Sequence, residues 1–502
     1  MSSHDYQEVA GKTAATQMAA PPPGDGPHAG KEHFLERAGD VSRRGLLGLL
    51  GVATVAGTAG AWPRLIGSDI PGRGSKALSI AIMGTSAKAA SRQGLVNEFR
   101  RLHPDIPVRL EAIQGTDWKD FFSKILTMVA AGNPPDVVYV ATEGAQLFAD
   151  KLAEPLDDLI KRDGTELQEY FNDVHPSLIE AFMYRGSLYQ LPVEWNAANM
   201  YLNTTALQQA GLERPADNWT KDDFTSMLRA MRKARPNDFS PYYWTNRLFG
   251  GVVPWLYAND TSFLKETKSG GGEWFWNRFY ASDPTRHQRS GGYLWEEPNA
   301  EDGRVTETFD YMRELVSEGL GVRPEEGGGQ ALVGLFASNR IGTTPAGGYW
   351  VQGLHVAGMK ADQFDVQFFP RWRTQRHQFG AAGYAIMRTA KDKDAAWEWV
   401  KFCASRPAME LVYEAPTTTP TRRSMVNEGL YASTGPAHWS VFYDTLDKFP
   451  TSGPIPAPPQ QAAVEAALIK NVSAAVGGSS RDVRLAMGSL QRDLELALRR
   501  KS

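Results

Sequence analysis

Cysteine is all but missing from this sequence: Cys403 is the only one in 502 residues. A single thiol cannot close an intramolecular disulfide or assemble a cysteine-rich metal site. Its neighbours Trp399, Val400 and Phe402 read as one plain buried stretch of helix. Histidines are few and scattered singly beyond the first hundred residues, at His103, His175, His287, His355, His377 and His438, so no metal ion is expected. Charge of one sign is not in excess: the net value is -3. That leaves no basic footprint for nucleic acid and no acidic tail. No G-x-S-x-G elbow, H-E-x-x-H helix or P-loop occurs, and no dinucleotide fingerprint follows the first strand, so neither catalysis nor a cofactor is expected. What is present is enough chain for two globular lobes. There are also fourteen tryptophans, more than stacking a core requires, so some are expected on a ligand surface.

Residues 1–40 are rich in Ala, Pro, Gly and polar residues without a period, which reads as a disordered segment. Ser42-Arg43-Arg44-Gly45-Leu46-Leu47 then opens an uncharged stretch to Pro63, diluted by Gly48, Gly51, Gly57 and Gly60. It resembles a twin-arginine export signal, with Ala59-Gly60-Ala61 in the small-x-small form of a cleavage site. Residues 1–61 are therefore expected to be an address. A membrane anchor is the alternative, but the glycines and threonines make a weak span. No cysteine near residue 61 is available for a lipid anchor. The expected location is periplasmic or cell-envelope.

Beyond the address, Ala77–Met83 reads as a buried strand ending in Gly84-Thr85-Ser86, followed by a helix carrying Leu95, Phe99 and Leu102 on one face. Val108–Ile113 is a second strand. Thr116 or Asp117 caps a helix with Trp118, Phe121, Phe122, Ile125 and Val129 at helical spacing, stopped by Gly132-Asn133-Pro134-Pro135. Asp136–Val140 is a third strand. This alternation predicts an α/β fold with a parallel sheet, whose ligands sit beyond the carboxyl ends of the strands. Those ends fall at Gly84–Ser86, Gly115–Trp118 and Ala141–Glu143, one rim of a site. Further on, Thr220 and Asp223 form a capping box. Residues 240–300 are aromatic and glycine-rich with no clear period, and read as loop and short helix. Gly270–Gly272 and Gly327–Gly329 read as flexible connectors. Phe364–Phe369 and Ala382–Met387 are strand-like, and two helices, Ala462–Ala475 and Asp482–Arg499, close the chain.

The order of these pieces resembles the extracellular solute-binding family of ABC sugar importers, the maltose-binding-protein type. Phe99 to Val108 is similar to its F-x-x-x-x-P-x-I-x-V segment, and Gly132 to Val137 to its G-x-x-P-D-V. Leu188–Asn203 is similar to the crossover Y-x-x-P…Y-x-N, followed by Ala210-Gly211-Leu212 and Trp219 to Phe224. Asn339 to Trp350, Gly380–Met387, Ala395 to Glu398 and Thr419 to Arg422 complete the series. The likeness spans nearly the whole chain from residue 76. Residues 245–335 are longer and richer in glycine than the usual second lobe.

The resemblance implies two α/β lobes joined by a hinge with several chain crossovers, a periplasmic-binding-protein fold. Lobe one would comprise residues 76–193 and 363–404, and lobe two residues 197–362 and 408–502. It further implies a monomer that buries a carbohydrate between the lobes and delivers it to ABC permease subunits. Sugars need hydrogen-bonding partners for their hydroxyls and flat apolar surface for their C–H faces. The expected ligand contacts are Glu194, Trp195 and Asn196 at the first crossover, with Gly348 and Trp350 from lobe two. Thr85, Trp118 and Glu143 would come from the strand ends of lobe one, and Trp244, Asn246 and Trp255 from lobe two. Arg371 and Arg422 would bridge a hydroxyl or a carboxylate. Two other readings stay open on the residues alone. One is an exported carbohydrate-active enzyme, which needs two carboxylates flanking one bond. The other is a binder of a non-sugar solute, and a sensor partner without an importer would look the same.

Overall fold

The computed structural model describes residues 77–324, 330–413, 418–425, 434–478 and 482–500. The expected export signal lies outside the described residues, as does Gly327–Gly329. In chain order the strands are β1 (Leu78–Met83), β2 (Val108–Ile113), β3 (Val137–Ala141), β4 (Met183–Tyr184), β5 (Ser187–Leu188), β6 (Gln190–Ala197) and β7 (Asn199–Asn203). They continue as β8 (Ser240–Tyr242), β9 (Leu264–Lys268), β10 (Tyr293–Pro298), β11 (Ile341–Ala346), β12 (Phe364–Gln367), β13 (Gln378–Ile386), β14 (Thr419–Pro420) and β15 (Gly453–Pro454).

Two sheets carry the architecture. The first runs β2-β1-β3-β13-β6-β14, with β15 attached to β13. β1 pairs in parallel with β2 and β3, while β13 returns antiparallel between β3 and β6. Every residue of β3 is buried, as expected of a strand covered by helices on both faces. One face holds Tyr139 and Tyr384 against the helix Lys393–Ala404, and the other holds Val138, Val140 and Ala385 against Phe121 and Phe148. The second sheet runs β12-β7-β11-β8. Its cores are built on Met200, Leu202, Trp244 and Trp255 on one side, and Tyr201, Phe336 and Trp350 on the other. These are the two lobes. The chain crosses first at Ala198, where β6 of one sheet runs straight on into β7 of the other.

Lobe boundaries differ from those expected. The strand at 364–367 pairs with β7, so it belongs to lobe two, and lobe one resumes at β13 rather than at residue 363. Lobe one then continues past residue 408: Ala408, Met409, Tyr413 and Met425 lie in its core, and β14 pairs with β6. The reason is long-range pairing, which no local pattern reveals. The capping box forms, with the Thr220 N–H donating to Asp223 at 2.8 Å. The closing helices are Gln461–Val476 and Val483–Arg499, and they pack on lobe two.

The segment 240–300 is more ordered than its composition indicates. β9 and β10 form an antiparallel hairpin, and a helix, Glu273–Phe279, lies between them. Leu264, Tyr293 and Trp295 at the base of this excursion are in the core of lobe two. Phe275, Trp276, Phe279 and Tyr280 at its tip are in the core of lobe one. Gly271 and Gly272 adopt positive φ where the chain leaves β9, a turn that a residue with a Cβ resists.

Candidate functional site

The carboxyl ends of the parallel strands β1, β2 and β3 lie side by side and make one wall of the candidate cleft between the lobes. At the first, the exposed Thr85 caps the helix Ser86–Ser91 by accepting from the Lys88 N–H at 3.4 Å. At the second, Asp117 caps the helix Trp118–Ala130 by accepting from the Asp120 N–H at 2.8 Å. At the third, Thr142 and Glu143 open the helix Thr142–Leu147. The Thr142 hydroxyl accepts from the Ala381 N–H of β13 at 3.3 Å and donates to Glu143 Oε2 at 3.3 Å. β13 thereby holds the Glu143 loop in place.

Lobe two supplies the opposite wall. Arg247 donates to the Thr245 hydroxyl at 2.9 Å, Phe249 follows it, and Tyr349 stands 42% exposed just before the helix Trp350–Val356. The Phe249 and Tyr349 rings lie 6.3 Å apart. Phe249 reaches across to lobe one, since a Cβ on Gly380 of β13 would sit 3.4 Å from its ring. Glu465, on the helix Gln461–Val476, accepts from the Gln461 side-chain amide at 3.0 Å.

Electrostatics join these pieces. Burial, with the charge of Glu465 adding to it, raises the Glu143 carboxyl to about 7 against its backbone hydrogen bond, the Thr142 hydroxyl and Arg247. Glu465 is likewise raised, first by burial, with Lys119 opposing and Asp117 reinforcing. Tyr349 feels the charges of both Arg247 and Glu143. Glu194 acts in the same way on Lys88 and Arg92, at the β1 end of the cleft.

The hinge strand closes the base. Asn196 donates through Nδ2 to the Thr418 hydroxyl at 2.9 Å. Its Oδ1 is buried and accepts from nothing among the described residues, a costly state unless another donor reaches it. Asn196 also abuts the backbone of lobe two: a Cβ on Gly347 would lie 2.5 Å from its Cβ. Gly347 and the buried Gly348 let the two lobes touch there.

Several expected contacts are elsewhere. Trp244 and Trp255 are 1% and 0% exposed in the core of lobe two. Their indole N–H groups donate to the Val322 carbonyl at 3.0 Å and to the Tyr242 hydroxyl at 2.9 Å. Asn246 is buried too, donating to the Ile469 carbonyl and the Ser473 hydroxyl. Trp350 packs between Tyr201 and Phe336, so its neighbour Tyr349 is the aromatic that the cleft receives. Trp195 points away from Glu194 and Asn196 into the lobe-one core, as strand alternation requires. It borders a separate cavity of about 700 Å³ that also touches Tyr280, Asp173 and Tyr443. Trp118 is half-buried against Phe122 and Tyr139 at the cleft base. Arg371 is exposed on lobe two, where its backbone bonds Trp219 and Lys221. Arg422 is buried and structural: it donates to the Ala404 carbonyl at 2.9 Å and to Glu169 at 3.1 Å.

Of the expected residues, Thr85, Glu143, Glu194, Asn196 and Gly348 lie along the candidate cleft. Arg247, Phe249, Tyr349 and Glu465 lie there too and were not among those expected. For Tyr349 the signal was its place beside Gly347-Gly348. Glu465 sits among small residues with nothing local to mark it.

A family model described as bacterial extracellular solute-binding protein matches residues 84–410. A binding protein of Brucella abortus (strain 2308) and one of Brucella suis biovar 1 (strain 1330) are each 27% identical over 124 residues, which is 24% of this chain. That stretch covers 28% of the length of those relatives. An ABC substrate-binding protein from Listeria monocytogenes, solved in complex with cycloalternan, superposes with a TM-score of 0.67 at 16% identity over 84% of this chain and 99% of its own. An ABC transporter solute-binding protein from Thermotoga lettingae, bound with alpha-D-tagatose, gives 0.65 at 17% identity over 84% and 100%. The sugar-binding protein MalE of Xanthomonas citri gives 0.65 at 16% over 84% and 97%. At such identities the likeness is one of fold.

Proposed function

This chain belongs to the bacterial extracellular solute-binding proteins, and on that premise we propose that it captures a carbohydrate, an oligosaccharide or similar, in the cleft and delivers it to an ABC permease. The observation that carries the reading is the convergence of polar groups from both lobes on one aromatic wall. Glu143, Glu194 and Asn196 come from lobe one, and Arg247, Tyr349 and Glu465 from lobe two. Carboxylates and amides accept from and donate to hydroxyls, and the Phe249 and Tyr349 rings, tilted 52° to one another, offer apolar faces to sugar C–H groups. Contacts drawn from both lobes exist together only when the cleft is shut, so a ligand would favour the closed form. The sugars bound by the structural relatives support the same class of ligand.

Hydrolysis is the competing use of two carboxylates. It needs one carboxyl protonated and the other ionised, with pKa values driven apart. Burial raises both Glu143 and Glu465, and the fate of the bound sugar is what separates the two uses. Among the described residues no helix is long and apolar enough to cross a membrane. Export through the twin-arginine pathway, action as a monomer and delivery without a lipid anchor belong to the same proposal.

The test is calorimetry of the purified chain against maltose-series oligosaccharides, cycloalternan and tagatose, with chromatography of each sugar afterwards. One site per chain, unaltered sugar and loss of binding in Arg247→Ala are expected. Cleavage of the sugar, or binding untouched by Arg247→Ala and Tyr349→Ala, would overturn the assignment.

A further inference from the structure

The excursion between β9 and β10 ties the lobes together by a second route besides the crossover from β6 to β7. We infer that residues 264–298 form a strap, pinned to lobe one by Glu180, that limits how far the cleft opens. Its base is anchored in the core of lobe two by Leu264, Tyr293 and Trp295. Its tip buries Phe275, Phe279 and Tyr280 in the core of lobe one, with the Tyr280 hydroxyl donating to the Val174 carbonyl at 3.0 Å. Rotating one lobe away from the other must therefore bend the strap or extract its aromatic tip, and extraction exposes several buried rings to water.

The crossing point is built as a joint. Glu180 ends the lobe-one helix Pro176–Glu180 and is fully buried. It accepts from Lys268 Nζ at 2.9 Å, Arg289 Nη1 at 3.1 Å, and the Ser290 N–H and hydroxyl at 3.0 and 2.8 Å, all four from the strap. A buried carboxylate with four donors is held firmly, and none of those donors has an equal partner if the strap lifts. Beside it the backbones lie in direct contact. The Gly186 N–H donates to the Gly291 carbonyl at 2.9 Å, and a Cβ on Gly291 would stand 2.7 Å from the Gly186 Cα. The seam lets the strap pivot about glycines while the pin keeps it seated, so lobe motion becomes a limited swing about this line.

The test needs no ligand, so it stands apart from the carbohydrate reading. Cys403 is buried, so Thr116→Cys and Ala462→Cys, exposed on opposite walls, can carry a spin-label pair for distance measurement. The parent should give one narrow distance distribution, and Glu180→Gln should broaden it about twofold toward longer distances. The same change is expected on replacing residues 269–292 with Asn-Gly, which joins the paired Lys268 and Tyr293 directly. Should both variants fail to fold, hydrogen exchange on the parent decides: amides 273–280 should be as protected as those of β3. Unchanged distances in a folded variant, or a tip that exchanges like an exposed loop, would overturn the strap.

Discussion

Replacing Glu143 with glutamine should stabilise the protein, and only on the alkaline side. The carboxyl is raised from an ordinary 4.5 to about 7, first by burial and then by Glu465. A raised carboxyl keeps its proton in the folded chain while the unfolded chain has already released it. Stability is therefore fully present below pH 4.5, falls between 4.5 and 7, and is flat above. Each pH unit of that interval is worth about 1.4 kcal/mol, which sets a ceiling of about 3 kcal/mol. Glu143 keeps an edge open to water, so about 1–2 kcal/mol is the fair expectation. Glutamine stays neutral throughout and retains an acceptor for the Thr142 hydroxyl. Urea unfolding at pH 4.5, 6 and 8 should show Glu143→Gln equal to the parent at the acid end and more stable at pH 8. A variant less stable than the parent at pH 8 would mean that Arg247 and Thr142 outweigh burial, and the reasoning would fail.

Neighbouring aromatics should separate binding from folding. Tyr349→Ala is expected to weaken sugar binding by about 1–3 kcal/mol with little change in melting temperature, read by calorimetry and thermal denaturation. Trp350→Ala should instead lower stability by about 3–5 kcal/mol, because the ring fills the space between Tyr201 and Phe336. Gly347→Ala drives a methyl group against Asn196 and should cut affinity about tenfold or more at unchanged stability of the separate lobe cores, measured by titration. Arg422→Ala should leave affinity alone and cost about 2–4 kcal/mol of stability, since it takes the buried donor from the Ala404 carbonyl and empties the space against Tyr170.

The order of elements was legible because local rules wrote it. Gly132 to Pro135 stops one helix before β3, and Thr220 with Asp223 starts another, so both features appear within a residue or two of their expected places. Side-chain destination was harder to read. Trp350 and Tyr349 are adjacent at a helix start, and which of them meets the cleft depends on a phase of about 100° per residue that only the packed lobe sets. Trp244 and Trp255 satisfy composition equally well as platform or core, and their indole partners, Val322 and Tyr242, are chosen by the fold. The strap was invisible for a different reason. β9 pairs with β10 across an intervening helix, and the rings of that helix pack against residues about a hundred positions earlier, such as Phe171.

The burial of the indoles has a spectroscopic consequence. Nine of the fourteen tryptophans, Trp195, Trp219, Trp244, Trp255, Trp276, Trp295, Trp350, Trp397 and Trp399, lie inside the lobes, while Tyr349, Phe249 and the half-buried Trp118 form the aromatic part of the cleft. Intrinsic emission will therefore be blue-shifted and will report packing, with a ligand in the cleft touching few of the emitters. A change in that emission on adding a sugar is then a signal of moving lobes, and direct contact is better sought in tyrosine absorbance.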